Sequence, residues 1–441
     1  MKKNVGVRPA IPLAVPQASP RLRNSLDPQP LDPTTFPHQG RHGRLPGTIP
    51  NLAHMLDSYG VSVRYDVIRK RLIVQSALWT SPPDNSDNIA LTNIVSLACL
   101  NQLPRNDIEA FVAAVADSNP YNPVEEWIVS RAWDGTDRLP AICATLTQAE
   151  DYPVELKNLL MRKWLLSAVA AARSKSGFRC RGVLTLQGAQ GLGKTTWVSS
   201  LVPDRTLRDA VVKIDHHLDA TNKDSILGAV CHWICEIGEV ESSMKKEVAR
   251  LKGVITRDSD KVRKPYARAE SEMPRRTVFA ATVNQAKFLM DDTGNSRFWV
   301  IPVTTVDYEH NIDMQQVFAQ LNVEFEDGQP WWLTAEEEAQ LEAQNRPHRT
   351  ISAIEDLLLG AFDLTLVGQP SLLAMTPREL LVFLGIRDPH NAQCKECAGT
   401  LRTYLGEPKR IQGRDKWRIP LAPDAPAGGM PVHSHGPDKF D

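Results

Sequence analysis

Over residues 1–48 the apolar positions keep no period, and nine prolines interrupt every run that begins. Such a stretch cannot bury enough surface to offset its ordering entropy, so it is predicted to be a disordered, Pro-rich tail. Periodicity sets in at Asn51. From 49 to 150 the pattern is mainly helical, as in Asp107–Ala116, where apolar residues recur at helical spacing. One early hairpin-like pair, Val61–Tyr65 and Arg71–Gln75, stands apart from the helices. Trp133, Asp134 and Gly135 read as a packing corner, with the indole buried and the glycine closing a turn.

From 151 to 346 helix and strand signals alternate. Leu156–Arg173 is an amphipathic helix, and Gly182–Gln187 is a short, partly β-branched apolar run. Further strands are expected at His232–Ile237, Thr277–Val283 and Phe298–Val303. This alternation predicts an α/β core, a mostly parallel sheet covered by helices. Residues 347–421 give three helices and then a basic hairpin, Lys409–Ile411 and Lys416–Ile419 around Gly413–Asp415. Thr376 caps one of these helices, with Pro377 at its first position. Three helices and a hairpin are the outline of a winged helix. The Pro- and Gly-rich residues 422–441 are expected to be a flexible tail.

Composition changes this picture little. A length of 441 residues allows two or three domains, and 42% hydrophobic residues suffice for a proper core. The formal net charge is −1, so any electrostatic case for nucleic acid must be local. The tail supplies one such excess, with seven Lys or Arg against two acids in residues 1–48. No apolar run is long enough to span a membrane and no signal-peptide core opens the chain, so a cytoplasmic protein without a membrane partner is expected. The seven cysteines fit a reduced compartment. Cys394 and Cys397 form a single C-x-x-C with His390 upstream. With no second pair nearby they read as two cysteines on one helical face, not a zinc site.

The chemistry begins at Gly188. Gly188, Ala189, Gln190, Gly191, Leu192, Gly193, Lys194 and Thr195 match G-x-x-x-x-G-K-S/T without a departure, between an apolar strand and a helix that continues through Thr196. Several phosphate charges must be held with no bulky side chain in the way. Glycines let the backbone N–H groups turn towards the phosphates, and the helix N-terminus adds partial positive charge. Lys194 would reach the β- and γ-phosphates of ATP, and the Thr195 hydroxyl would ligate Mg²⁺.

Hydrolysis needs a carboxylate at the end of a neighbouring strand. Glu236 lies inside an apolar strand, where an unpaired charge is costly, so a metal or water partner explains it best. Glu239 follows at the strand tip. Spacing alone does not decide which of the two helps hold Mg²⁺ and which acts as base. Asn284 ends the Thr277–Val283 strand, where an amide could bind the γ-phosphate and orient water. Alone, such an Asn is usually a turn residue. Arg297, on a polar turn before the next strand, fits either an exposed surface cation or a group facing the site of an adjacent subunit.

Between these strands, residues 244–276 carry eleven Lys or Arg against five acids. Lys261, Arg263, Lys264, Tyr266 and Arg268 form the densest part, and Pro265 favours a hairpin or loop over a helix. Cations interleaved with an aromatic suit a phosphate backbone with occasional stacking, while a charge run taken alone is usually a solvated face.

Taken together, these residues resemble the virulence-associated E family of phage and prophage proteins, which look like superfamily 3 helicases. The resemblance runs from Trp133–Gly135 through the phosphate loop, Trp233–Glu239, Leu251 and Lys252, Asp258–Arg268, Pro274–Arg276 and Asn284 to Asp292–Trp299. It implies a P-loop NTPase core of AAA+-like type that assembles as a homo-oligomeric ring, a hexamer, with ATP between subunits. It implies that Arg297 acts in trans as an arginine finger and Asn284 as the polar sensor. It also implies that the segment from Lys261 to Arg268 lines a central pore and grips one DNA strand. One departure concerns the acids, which are adjacent in viral superfamily 3 helicases but separated here by Ile237 and Gly238. No primase metal cluster is evident in residues 1–150, so priming would come from a separate primase or polymerase. The expected function is an ATP-dependent DNA helicase in phage or mobile-element replication. The alternatives are a DNA-binding initiator whose NTPase serves as an assembly switch, and an NTPase with no DNA partner.

Overall fold

The computed structural model describes residues 28–79, 86–175, 178–238, 251, 253–262, 271–289, 295–349 and 352–423. The helix Ile49–Ser58 starts where Thr48 accepts a hydrogen bond from the Asn51 N–H, with a proline in the first turn. Strands β1 (Ser62–Asp66) and β2 (Arg71–Gln75) pair antiparallel, and β3 (Pro120–Tyr121) lies parallel to β1. With the helices Ser86–Leu100 and Ile108–Asp117 they enclose one core around Leu52, Met55, Val63, Ile94 and Val112.

The expectation of a loose tail over 1–48 is corrected from Pro28 onward. Phe36 and Leu45 are buried in this same core. The Asn51 side chain donates to the His38 and Pro46 carbonyls at 2.9 Å, tying the chain down between the two anchors. Two large apolar residues and one buried amide offset the entropy that a Pro-rich composition otherwise leaves unopposed. Residues 1–27 and 424–441 lie outside the described residues.

The central layer is a six-stranded mixed sheet in an α/β arrangement. Its strands are β4 (Leu146–Gln148), β5 (Val183–Gln187), β6 (Val212–His216), β7 (Ile234–Ile237), β10 (Val278–Val283) and β11 (Phe298–Val306), in the order β4-β11-β5-β10-β7-β6. All are mutually parallel except β4, which runs antiparallel on β11. Helices cover the faces, so β5, β7 and β10 read as nearly continuous apolar runs with no alternation. The helix Val154–Arg173 is buried along most of its length, and the Trp164 indole donates to the Phe279 carbonyl at 2.8 Å. The Trp233 indole returns the contact, donating to the Ala168 carbonyl at 2.7 Å.

Between β7 and β10, strands β8 (Ser259–Val262) and β9 (Ser271–Pro274) form an antiparallel ladder. Its base is fixed by the Arg275–Asp260 ion pair, at 2.6 and 2.7 Å, with both side chains essentially inaccessible to solvent. Lys70, in the β1–β2 turn at φ 56°, donates to the Pro274 carbonyl at 3.2 Å and so joins the first sheet to this ladder.

The last part of the chain has its own core around Leu358, Leu380, Leu401 and Trp417. In chain order it runs through the helix Ala353–Ala361, β12 (Ala374–Met375), the helices Pro377–Phe383 and Asn391–Leu405, then β13 (Lys409–Ile411) and β14 (Arg414–Arg418). The sheet order is β12-β14-β13, all antiparallel. The turn falls at Gln412 and Gly413, one residue earlier than expected, because both take positive φ, 53° and 75°. That is the geometry a two-residue hairpin connection favours. Cys394 and Cys397 sit on the Asn391–Leu405 helix and pack into this core. Among the described residues, no helix is long and apolar enough to cross a membrane.

Trp133 departs from its predicted role. Its indole is half-exposed and donates to the Thr136 carbonyl at 2.9 Å. Gly135 does close the turn, at φ 84°. The corner is held by Asp134, which takes both Arg138 guanidinium nitrogens at 2.7 Å and is pulled well below the usual carboxylate range by that contact.

Candidate functional site

Because β5, β10, β7 and β6 are parallel, their C-terminal ends share one edge of the sheet, and the glycine loop, Lys194, Glu236 and Asn284 gather there. β5 runs straight into the glycine loop, whose Gly188 N–H donates to the Val283 carbonyl at the end of β10, at 3.0 Å. Gly191 and Gly193 both hold left-handed φ, 84° and 83°, a conformation that side chains resist. A Cβ on Gly188 would fall 2.4 Å from the Val303 carbonyl oxygen, and one on Gly193 would fall 2.2 Å from the Tyr308 ring. Ala189, Gln190 and Gly191 face solvent, so the loop mouth is open.

Lys194 opens the helix Lys194–Ser200 and folds back into the loop. Its ammonium donates to the Gly188 and Ala189 carbonyls, both at 2.8 Å, and to Asn284 Oδ1 at 2.9 Å. Burial lowers its pKa, since the charged form loses water. The structure thus brings Asn284, ninety residues away in sequence, onto the same ammonium as the loop.

The acidic strand joins through a short chain of hydrogen bonds. Thr195 Oγ1 lies 3.3 Å from Thr282 Oγ1, and the Thr282 hydroxyl donates to Glu236 Oε1 at 2.7 Å. Glu236 Oε2 accepts the Asp215 N–H at 2.6 Å. Glu236 is only 1% exposed. Burial raises its pKa, the Thr282 hydroxyl and the Asp215 N–H oppose that, and the Asp215 charge adds to the rise. Asp215, the next-to-last residue of β6, takes φ 52°, and a Cβ on Gly238 would fall 2.2 Å from its Oδ1. Gly238 therefore leaves the room that the Asp215 side chain occupies.

Arg297 does not join this cluster. It precedes β11 in a 3-10 turn, at the edge where the parallel strands begin. The five paired positions from Phe298 to Pro302 put roughly 13 Å of strand between it and its own glycine loop. Lys261 is exposed on β8, whereas Glu239, Arg263, Lys264, Tyr266 and Arg268 lie outside the described residues. Thr196 is exposed on the first turn of the Lys194 helix.

Sequence reasoning missed Thr282, Asp215 and Tyr308. Thr282 sits two residues before Asn284 on β10 and so faces the same side of the strand, which is the signal that could have found it. Asp215 is the next-to-last residue of a polar edge strand and Tyr308 follows β11, with nothing local to mark either.

A family model for the virulence-associated protein E-like domain matches residues 128–350. No curated protein matches the chain. Among solved structures, the apo structure of the NrS-1 C-terminal region (305–718) is similar at TM-score 0.34 and 14% identity, over 84% of this chain and 98% of that one. Two A-form apo structures of the same region give TM-scores of 0.35 and 0.36 at 13% and 15% identity. Each covers 84% of this chain, and 98% and 99% of its own.

Proposed function

The chain belongs to the virulence-associated protein E-like family, and on that premise we propose that it is an ATP-driven DNA helicase of P-loop, AAA+-like type, working in phage or mobile-element replication. The observation that carries the reading is the Lys194 ammonium, held by two loop carbonyls and by Asn284 at one point. Topology supports it as well. The chain leaves β5 for the β6 side of the sheet and returns to β11 on the other, so the loop sits at a switch point, where open α/β sheets bind ligands.

The residues present fit a nucleotide with its metal ion. The loop is a glycine cradle that Cβ atoms would fill, and the donor set combines an ammonium, a hydroxyl and a buried carboxylate. Lys194 would meet the β- and γ-phosphates, and the N–H groups from Ala189 to Thr196 would line the phosphates. Thr195 and Glu236 would hold Mg²⁺, which when bound supplies neutralising charge at the phosphate oxygens. Asn284 would orient the attacking water, and Glu236 or Glu239 would accept its proton. The water oxygen bonds to the γ-phosphorus as the bond to the β–γ bridging oxygen breaks, leaving ADP and phosphate.

Arg297 lies too far from its own loop to act there, which favours action on a neighbouring subunit's nucleotide in a homo-oligomeric ring. Lys261 stands on a ladder anchored by a buried ion pair, and the cations that follow it in sequence through Arg268 would grip a single strand in the pore. A separate primase or polymerase would supply priming. The test is ATP turnover and strand displacement on a forked duplex by the full chain, with Lys194→Ala alongside. Loss of both activities in the variant is expected, and turnover that survives it would remove the loop from the mechanism.

A second reading, a DNA-binding initiator whose NTPase is an assembly switch, is favoured by the winged-helix order of elements over 353–418. It predicts turnover and DNA binding without strand displacement.

A further inference from the structure

The hairpin β13–β14 carries five cations and one acid in the ten residues 409–418 of a chain whose net charge is −1. Its base is rigid. Trp417 and Met375 face the C-terminal core, the Trp417 indole donates to the Gly406 carbonyl at 2.8 Å, and the Arg402 guanidinium lies over the same ring at 5.7 Å. The type of turn at Gln412 and Gly413 holds the two strands in register up to the tip.

The cross-strand pairs place Lys409 opposite Lys416 and Ile411 opposite Arg414, so Lys409, Arg414, Lys416 and Arg418 share the face turned away from Trp417. Like charges directly opposite are destabilising in a sheet. Lys416 has a partial answer in Glu379 at 3.4 Å, and Arg418 is turned onto the Pro370 and Leu372 carbonyls. Lys409 and Arg414 are exposed and form no ion pair among the described residues, while Arg410 lies on the other face, across from Asp415. A rigid exposed hairpin with two unpaired cations on one face matches a phosphate backbone. The hairpin's only aromatic, Trp417, is buried, so it offers no platform on which unstacked bases could lie.

We propose that the β13–β14 hairpin is a second nucleic-acid contact, separate from the β8–β9 ladder, and that it holds the phosphate backbone of duplex DNA through Lys409 and Arg414. This does not depend on the nucleotide reading, since no residue of the glycine loop takes part. The hairpin would keep the chain on the duplex ahead of or beside a single strand held elsewhere, reading charge and shape without base identity.

The experiment measures binding of the full chain, without nucleotide, to a labelled 20-base-pair duplex and to a single strand of equal length by fluorescence anisotropy across a salt series. The double variant Lys409→Ala/Arg414→Ala removes two phosphate contacts. The slope of log K against log salt on duplex should become shallower by about 1.8, with a loss of up to about 60-fold at about 0.1 M salt. Single-strand binding should change much less. Unchanged duplex affinity and slope would overturn the proposal. So would an equal loss on both substrates, which would mark the hairpin as a general cationic surface. If duplex binding by the parent chain shows no salt dependence, the proposal also fails. Because binding is measured without nucleotide, its outcome is separate from the fate of the ATPase reading.

Discussion

Replacing Thr282 with valine tests whether Glu236 is tuned by its neighbours or merely buried. Valine keeps the shape and the β-branching, so β10 should persist, but the 2.7 Å hydrogen bond to Glu236 Oε1 is lost. A hydrogen bond to a charged group contributes about 1.5–3 kcal/mol and one to a neutral group about 0.5–1.5 kcal/mol. The ionised carboxylate therefore loses about 1 kcal/mol more than the protonated acid, which moves the Glu236 pKa further upward. Burial already raises the Glu236 pKa in the folded chain above its unfolded value. Its contribution to stability is thus complete below the unfolded pKa and is lost as pH rises through the folded one. The variant should widen that loss, so its denaturation midpoint should fall further below the parent's at about pH 8 than at about pH 5. The acid limb of the pH–turnover profile should move upward. Thr282→Ser should restore both, because it keeps the hydroxyl. A penalty that is equal at the two pH values, with an unmoved acid limb, would refute the argument that Thr282 holds the charged form.

Other substitutions probe separate parts of the account. Arg275→Met leaves Asp260 buried without its partner and should destabilise by about 3–5 kcal/mol in urea melts, while adding Asp260→Leu should recover most of it; no recovery in the double variant would show that the pair does more than neutralise itself. Gly193→Ala must adopt φ 83° and meets the Tyr308 ring, so fluorescent-nucleotide affinity should fall by tenfold or more, about 1–2 kcal/mol from the backbone alone. Full affinity in that variant would mean the loop is not the binding element. Arg297→Ala should be inactive alone, yet mixing it with Lys194→Ala should restore turnover, because a mixed ring pairs an intact loop with an intact Arg297. Absence of recovery across all ratios would remove the trans assignment.

How far the sequence could be read depended on how local each cause was. The glycine loop, its strand and its helix were legible because Gly191 and Gly193 are needed where they stand, whatever surrounds them. β1 with β2, and β13 with β14, were legible from alternation and turn chemistry. β6 was not, since Val212–His216 is a polar edge strand with little apolar signal, and Asp215 near its end is exposed. Thr282 looked like ordinary strand filler. Its importance comes from the neighbouring strand, which places Ala280 beside Glu236 and so lets the hydroxyl reach the carboxylate. Residues 28–48 looked loose because composition averages over Phe36 and Leu45, while the fold depends on where those two side chains lodge. Arg297 could be named but not located, because its distance from the loop is set by the register of β11 on β5.

The central claim couples ATP hydrolysis at the glycine loop to a DNA strand. The most direct test is steady-state ATP turnover by the full chain with and without single-stranded DNA, at low and moderate salt, with Lys194→Ala as the control. The account predicts turnover that rises strongly with DNA, weakens as salt increases, and is absent in the variant. Turnover indifferent to DNA at both salts would contradict it.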